Sequence, residues 1–374
     1  MVTTLKQKTM KASAFKKPAI ALLILVTAIS ASYGSYEATR KYEKLFPLTG
    51  KATLGISNRY GSVDIRNWDR EDISVEVVVK VTTTSQEAAD RQLSYISVNF
   101  SQSNNDVSAR TEIDQRISRI GSRWFSSGDE GQGISIDYTV YAPKETDLNI
   151  AHRYGDVFIN EAEGHTIVDL RYGNLQANRI IRDNTRPLSE INLAYSPKAT
   201  INEAKWLKVN LRYSDLTVND CRALVVSSSY SKLRVENASS IVSEARYSEY
   251  LLGSINNFVT EGSYTNYSIS HLLNTLDVES RYGNVRVDHV PAGFSRVKFT
   301  GSYGNLRMGL AGNASYNIES SASYGSVNIP SGNRVNRVTR GQQSTLSGVV
   351  GDDPNPTSIV EINIRYGNVN LNPR

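Results

Sequence analysis

The sequence predicts an all-β protein, a parallel β-helix or β-solenoid of about 12 short coils with a small N-terminal α+β capping insertion. Three observations predict this fold class: one short motif recurs along the chain, its spacing is nearly constant, and apolar residues alternate on either side of it. The motif is a tyrosine, a small residue such as glycine or serine, usually one small polar residue, and then an aliphatic residue. Its tyrosines are Tyr60, Tyr154, Tyr172, Tyr195, Tyr213, Tyr230, Tyr247, Tyr264, Tyr282, Tyr303, Tyr324 and Tyr366.

The spacing of the motif indicates stacked units. Successive tyrosines are separated by 94, 18, 23, 18, 17, 17, 17, 18, 21, 21 and 42 residues. We interpret the first gap as an inserted region and the last as two turns of 21 residues. Self-similarity at a short period is typical of repeat architectures. The long run without insertions is expected if every coil must stack in register on the one before it.

Apolar alternation around each tyrosine indicates a strand on both sides of a corner. In the stretch 207–219, one face of the first strand carries Leu207, Val209, Leu211 and Tyr213. Leu216 and Val218 then follow with the alternation shifted by one residue, so the chain turns there while it keeps the same interior. An antiparallel meander of hairpins is the alternative, but it would place turn signals every 8–12 residues. We favour the solenoid, with the tyrosines in an inward or corner stack.

The amino-terminal segment predicts export. Residues 1–32 read as a signal peptide, with a basic region, an apolar run at 19–29 and small residues at 30–32. The apolar run is well short of the roughly 20 residues that span a bilayer, so we expect no transmembrane span in the mature chain. The predicted location is the periplasm, the outer-membrane surface or the extracellular space. The excess of 42 basic over 37 acidic residues equals the five lysines Lys6, Lys8, Lys11, Lys16 and Lys17.

Removal of the signal peptide would therefore leave a nearly neutral chain, which argues against nucleic acid as a partner. We divide the rest into a linker at 33–50, a first coil with its α+β cap at 51–147 and solenoid repeats at 148–372. Within the cap, Ser85 is expected to begin a short helix. A ligand loop around Trp124 is a weaker interpretation of the same block. Residues 340–356 are expected to be a dispensable loop, and 358–371 to close the stack.

The repeated turns, as at 153–157, and the strand end at 138–143 resemble the "putative adhesin" family of bacterial domains of unknown function. The resemblance covers roughly residues 50–372 and implies a β-solenoid related to the heads of some surface adhesins. It implies no catalytic or binding residues, because the family has no agreed ones. Several tyrosines are followed by serine where the family pattern has glycine, which predicts altered corners; these are Tyr195, Tyr213, Tyr230 and Tyr247.

Asparagines recur just after the second strand of four successive coils, and we expect them to form a structural ladder of amide hydrogen bonds. The alternative is an outward row that recognises a sugar. These residues are Asn160, Asn178, Asn202 and Asn219.

Carboxylates on the outward face are expected to be ion-paired rather than catalytic. An arginine follows two residues after Asp169, Glu244 and Glu279, which predicts a solvated ion-pair ladder of small energetic worth. Asp156 and Asp215 share a turn position three coils apart, roughly 14 Å at the usual strand spacing, which is too far for a catalytic dyad. The four histidines, His152, His165, His271 and His289, have no metal-ligand spacing, and Cys221 has no cysteine partner.

The sequence therefore predicts no catalytic residue, no cofactor and no metal. The expected function is that of an exported, non-enzymatic, adhesin-like surface or envelope interaction protein, whose candidate partners are a glycan or a cell-surface protein. Two alternatives stay open at this point. One is a carbohydrate-active β-helix enzyme, a polysaccharide lyase or hydrolase; the other is a purely structural envelope scaffold.

Overall fold

The computed structural model describes residues 25–27, 35–117, 133–330 and 334–373. A helix, α1, spans Gln86–Leu93. The strands are β1 Leu25–Thr27, β2 Tyr36–Pro47, β3 Thr53–Asn58, β4 Val63–Asn67, β5 Asp72–Thr83, β6 Ile96–Ser103, β7 Asp106–Ile113, β8 Gly133–Ala142, β9 Asp147–Arg153, β10 Val157–Ala162, β11 Thr166–Arg171, β12 Leu175–Ile180, β13 Ser189–Ala194, β14 Ala199–Arg212, β15 Asp215–Ser229, β16 Lys232–Arg246, β17 Glu249–Ser263, β18 Asn266–Arg281, β19 Val285–Val290, β20 Arg296–Ser302, β21 Leu306–Leu310, β22 Tyr316–Ser323, β23 Ser326–Asn328, β24 Arg334–Arg340, β25 Gln343–Val350, β26 Ile359–Arg365 and β27 Asn368–Pro373.

The repeats form a parallel solenoid, as predicted. We call each coil a rung and identify it by its tyrosine. A leading strand ends just before the tyrosine and a trailing strand begins after it, and both pair in parallel with the next rung, as β11 does with β13 and β10 with β12. From β14 to β18 one long strand runs from the trailing part of one rung into the leading part of the next. The segments just before and just after a corner do not pair with each other, because each pairs in parallel with the matching segment of the next rung; this excludes the antiparallel meander.

Alternate side chains from both strands fill a thin interior. In the rungs of Tyr213 and Tyr230, Leu216 and Val218 point inward from the trailing side, and Leu224 and Val226 from the leading side; all four are almost completely buried. Cys221 is buried in the same column, and burial raises the pKa of its thiol to about 12. The period-two pattern with one slip per corner is therefore the pattern of a single continuous core.

The α+β insertion covers the first rung. Strands β2, β5 and β8 are antiparallel, and β8 then pairs in parallel with β4 of the rung of Tyr60. The β6–β7 hairpin extends the leading side, where β7 pairs with β3. Helix α1 begins as predicted, because the Ser85 hydroxyl accepts a hydrogen bond from the backbone N–H of Ala88 at 3.2 Å. The insertion thus covers the end of the stack, where backbone groups would otherwise lie unpaired.

The expected linker at 33–50 is wrong, because most of it is the 12-residue strand β2. Its side chains are buried only at every fourth residue, Ala38, Tyr42 and Phe46, with charged residues between them, so the alternation is hidden. Its partner β5 lies well downstream, which local pattern reading cannot identify. Of the predicted signal peptide, the structure describes only β1, whose backbone pairs with β2. The rest of that segment, like the ligand loop predicted around Trp124, lies outside the described residues.

The order of the last rungs in space differs from their order in the chain. Strand β26 pairs with β20 on one side and with β22 on the other, and β27 lies likewise between β21 and β23. The rung of Tyr366 is therefore inserted between the rungs of Tyr303 and Tyr324. The expectation that 358–371 closes the stack is wrong, because spacing along the chain does not report spatial order. The described residues of the 42-residue gap form no further coil.

The outermost rung, that of Tyr324, is covered by a hairpin. Strand β25 pairs antiparallel with β22, and β24 pairs with the far side of β25. Leu346 and Val350 of β25 are buried against the core. The prediction of a loop at 340–356 is thus wrong, because the segment contains strand β25, although its glycine- and serine-rich composition resembles a loop.

Candidate functional site

The twelve motif tyrosines form one uninterrupted stack along the corner of the solenoid. Neighbouring ring centroids are 4.8–5.6 Å apart and neighbouring ring planes differ by 3–21°. The order follows the rungs, so Tyr366 lies between Tyr303 and Tyr324. Of the two predicted placements, inward and corner, the structure shows the corner. At the spacing of paired strands, the stack is roughly 50 Å long.

Eleven of these tyrosines hold the left-handed backbone conformation, with φ between 49° and 60°. This conformation costs a non-glycine residue about 1–2 kcal/mol. Each parallel aromatic contact contributes about 0.5–1.5 kcal/mol, and the tyrosine N–H donates to a carbonyl of the next rung, as Tyr213 does to Ser229 at 3.1 Å. The ring stacking and these backbone hydrogen bonds therefore offset the strain of the corner tyrosines.

Stacking determines which part of each ring faces solvent. Ten of the tyrosines are 41–53 % exposed, but both faces of an interior ring are covered by its neighbours. The exposed part is consequently the ring edge with its hydroxyl group. A row of phenol groups can hydrogen-bond a ligand that follows the stack, whereas flat stacking of a ligand on a ring face is blocked.

Tyr60 differs from the others. It is buried, and the left-handed conformation falls instead on Gly61, with φ 84°. Its ring still stacks on Tyr154 at 5.6 Å. Burial also raises the pKa of the Tyr60 phenol. Because Tyr60 is buried, the exposed part of the tyrosine stack begins at Tyr154.

The strain can be separated from the stacking at one corner. Tyr213→Ala is expected to destabilise the protein by about 2–3 kcal/mol, because it removes ring contacts on both sides and retains a Cβ in the left-handed region. Tyr213→Gly loses the same contacts but tolerates φ 49°, so it should cost about 1 kcal/mol less than alanine. Denaturant unfolding of both variants checks the order. Tyr36→Ala, at an exposed tyrosine outside the stack, is the control; a glycine variant no more stable than the alanine variant would contradict the strained corner.

The serine corners differ from the glycine corners, as predicted. The Ser231 hydroxyl donates to the carbonyl of Ser229 and accepts from the N–H of Ser214 on the preceding rung. The same pattern occurs at Ser214 and Ser248. In a glycine corner such a side chain has no room, because a Cβ on Gly304 would lie 1.9 Å from the carbonyl oxygen of Gly283. The corners therefore come in two backbone forms.

The predicted asparagine ladder is present on the trailing side. Each amide donates to the carbonyl oxygen of the previous rung at 3.0–3.3 Å, in the order Asn67, Asn160, Asn178, Asn202 and Asn219. A second ladder, which the sequence analysis missed, runs through the turns at Asn266, Asn284, Asn305 and Asn368. Amides that are occupied by one another stabilise the stack, so we assign these ladders a structural role.

The outward carboxylates of the leading strands do not form the predicted ion pairs. In the part of the chain that the structure describes, no carboxylate lies within 4 Å of the guanidinium groups of Arg171, Arg246 or Arg281. Asp169 instead accepts a hydrogen bond from Asn192 of the next rung at 2.7 Å. Ion pairs occur on the trailing side, where Arg179 contacts two glutamates. The leading arginines are thus available to solvent.

These arginines occupy one column, the position just before the corner tyrosine. From Arg171 onward, arginine alternates with a small residue on successive rungs. The arginines of the column are Arg59, Arg153, Arg171, Arg212, Arg246, Arg281 and Arg365, and all are exposed. Three lie 5.1–5.8 Å from the ring centroid of the adjoining tyrosine: Arg59, Arg212 and Arg365. The repeated Arg-Tyr pair is legible in the sequence, but the alternation appears only once the rungs are aligned.

A groove of about 730 Å³ follows the amino-terminal part of this column. It is lined by Arg59, Arg153, Arg171 and Arg212, and by the single carboxylate Asp169. His152 lies beneath it, 1 % exposed, with Nε2 at 3.0 Å from the carbonyl oxygen of Gly61. Burial lowers the pKa of His152, so the ring is neutral at pH 7. The groove therefore carries four fixed positive charges and one negative charge.

The remaining predicted residues do not converge. His165 Nε2 is hydrogen-bonded to the backbone carbonyl of Leu188 at 3.1 Å. The rings of His271 and His289 pack edge to face with their centroids 5.8 Å apart. Asp156 accepts from Asn174 in a turn. Among the described residues, no group of three or more His, Cys, Asp or Glu side chains is placed to hold a metal ion. The same part of the chain contains no helix with the length and apolarity of a membrane span.

Comparison with known proteins agrees with this architecture. A family model described as Toastrack DUF4097 matches residues 53–372. No curated protein matches the chain. The family match covers both the stack and most of its cap, so it extends over the whole candidate surface.

Several solved structures are similar to this chain at low sequence identity. They include a putative cell adhesion protein from Clostridium sporogenes, 9 % identical over 90 % of this chain and 100 % of that one, with TM-score 0.18. A putative lipid binding protein and a putative adhesin, both from Parabacteroides distasonis, are each 9 % identical. They cover 90 % and 88 % of this chain and 96 % of their own, with TM-scores of 0.31 and 0.30.

Proposed function

Because this chain belongs to the Toastrack DUF4097 family, we propose that it is an exported, non-enzymatic, adhesin-like interaction protein of the cell envelope. The proposal places its binding surface on the leading side of the stack, next to the tyrosine corner. The observation that carries it is the continuous row of exposed phenol edges, roughly 50 Å long at the strand spacing of a sheet. A surface of that length and regularity suits an extended ligand, such as a glycan chain, better than a small substrate.

The geometry favours binding over catalysis. Glu244, Glu261 and Glu279 stand in one file on adjacent rungs of the same face. A glycosidase needs two carboxylates on opposite sides of one bond, which a single file does not provide. The alternative of a scaffold with no ligand leaves the exposed arginine column without a role, since a scaffold is equally stable with neutral polar residues there.

Attachment and export test this function together. Beads coated with the purified protein, residues 33–374, are expected to adhere to intact bacterial or host cells, and beads coated with an unrelated neutral protein are the control. In the source cell, the protein is expected in the envelope or medium with the first 32 residues removed. The proposal would be contradicted if the coated beads adhered to none of the cells tested, or if the full-length chain stayed in the cytoplasm.

A further inference from the structure

The arginine groove has the charge and the repeat of a site for a linear acidic polysaccharide. We infer that it binds a polyuronate, a 1,4-linked chain with one carboxylate on each sugar, laid along the stack across the rungs from Tyr60 to Tyr213. The inference rests on the proposed function and specifies the ligand of the same surface. Three properties of the groove carry it: its charge, its spacing and its boundary.

The charge is positive and unneutralised. Arg59, Arg153, Arg171 and Arg212 line the groove, and in the described ranges no carboxylate lies within 4 Å of their guanidinium groups. The one carboxylate, Asp169, is engaged by the Asn192 amide. A guanidinium is always charged and matches a carboxylate in a planar two-pronged hydrogen bond. The groove is therefore complementary to a ligand that carries carboxylates.

The spacing matches a sugar chain. Arg153 and Arg171 are paired on adjacent rungs, about 4.8 Å apart along the stack, and a sugar of an extended 1,4-linked chain advances by a similar distance. Ala194 occupies the next rung and Arg212 the one after, so one sugar would pass without a charge contact. Beside it, the Asn210 amide donates to Asn192 at 2.6 Å and to Glu190 at 2.8 Å, so this rung presents neutral polar groups that are already hydrogen-bonded within the stack.

The tyrosine stack argues against a nucleic acid in the same groove. Proteins bind single strands by stacking bases on exposed aromatic faces, and here the ring faces cover one another.

The groove ends where the charge on the outward face of the leading strands changes from positive to negative. Two residues before the arginine column, the neutral Ser227 is followed on successive rungs by Glu244, Glu261 and Glu279. Arg246 and Arg281 border this acidic file, in a separate depression of about 230 Å³. A polyanion is repelled there, so it is confined to the amino-terminal rungs. Arg246 thus provides a matched control: the same residue in the same column, outside the site.

Calorimetric titration with oligogalacturonates long enough to span the five rungs tests the site. Arg171→Gln combined with Arg212→Gln is expected to weaken binding by more than about tenfold, because each loses a charge-assisted hydrogen bond. Arg246→Gln should change the affinity by less than about twofold. The fully methyl-esterified oligomer keeps the sugar shape and removes the charge, so it should not bind, and affinity for the acid form should fall with salt. Unchanged circular dichroism and melting temperature show that the exposed substitutions leave the fold intact.

Four results would overturn the inference: equal binding of acid and ester, an effect of Arg246→Gln as large as that of the double variant, no effect of the double variant, or tighter binding of a single-stranded oligonucleotide of equal charge. The bead-attachment assay distinguishes failure of the polyuronate site from failure of the proposed adhesin-like function. If beads adhere to cells equally well with and without the double substitution, the polyuronate site is wrong and the adhesin-like function stands. Ultraviolet absorbance from an unsaturated uronate product would instead overturn the non-enzymatic function.

Discussion

Replacing Ile362 with aspartate is expected to unfold the carboxyl-terminal end of the stack, at a cost of more than about 4 kcal/mol. Ile362 is 3 % exposed and lies between Phe299 on one neighbouring rung and Ser320 on the other. A carboxylate there is buried without a partner. Because the inserted rung holds the rung of Tyr324 and its hairpin onto the rest, its loss detaches them. Limited proteolysis with mass spectrometry should show cleavage from about residue 311 onward, while the earlier rungs stay protected.

The neighbouring residue gives the control. Asn363 is exposed on the same strand, so Asn363→Asp adds the same charge at the surface and is expected to change stability by no more than about 0.5 kcal/mol. A truncated chain that ends at Pro356 should behave like Ile362→Asp. If that truncated protein retains the melting temperature and protease resistance of the full chain, the rung of Tyr366 is not inserted between its neighbours.

Replacing Gly304 with serine is expected to destabilise the protein by about 3 kcal/mol, although serine occupies the same motif position in other rungs. The new Cβ would lie 1.9 Å from the backbone oxygen of Gly283. A backbone carbonyl in a paired stack cannot move without displacing the rung that it belongs to. The lowered stability should appear in denaturant unfolding, and amide hydrogen exchange should increase at the rungs of Tyr282 and Tyr303.

Two further substitutions make this result specific. Ser231→Gly removes a hydroxyl with two hydrogen bonds, so it should cost about 1–2 kcal/mol, less than the reverse exchange. Gly133→Ser places its Cβ where no atom lies within 4 Å, and it should be close to neutral. A Gly304→Ser protein as stable as the wild type would show that the two corner forms interconvert freely.

The fold was largely predictable from periodicity. Alternation around Tyr213 identified two strands with a slip, and the constant spacing identified a parallel stack, because register is enforced rung by rung. The helix at Gln86 followed from the capping serine before it. What local patterns could not supply is contact between distant segments: β2 with β5, and β26 with β20 and β22. In the first case charges hide the alternation; in the second, chain order and spatial order differ.

The candidate site was less predictable. The asparagine ladder was evident because its members recur at one place in consecutive coils. The arginine column was not, because the residues between its members are small and unremarkable, and because a nearby carboxylate such as Asp169 suggests an ion pair. Only the alignment of rungs shows that Asp169 bonds to Asn192 instead, and that the guanidinium groups are left to solvent.

The inserted rung has a consequence for how the molecule is made. The ribosome delivers residues 316–328, which form the outermost rung, before residues 359–373, which form the rung beneath it. During synthesis the outermost strands therefore cannot add to the growing spiral in their final place, and must wait until the later segment has been translated. The carboxyl-terminal part of the spiral is thus assembled after translation, whereas the earlier rungs can be added one at a time.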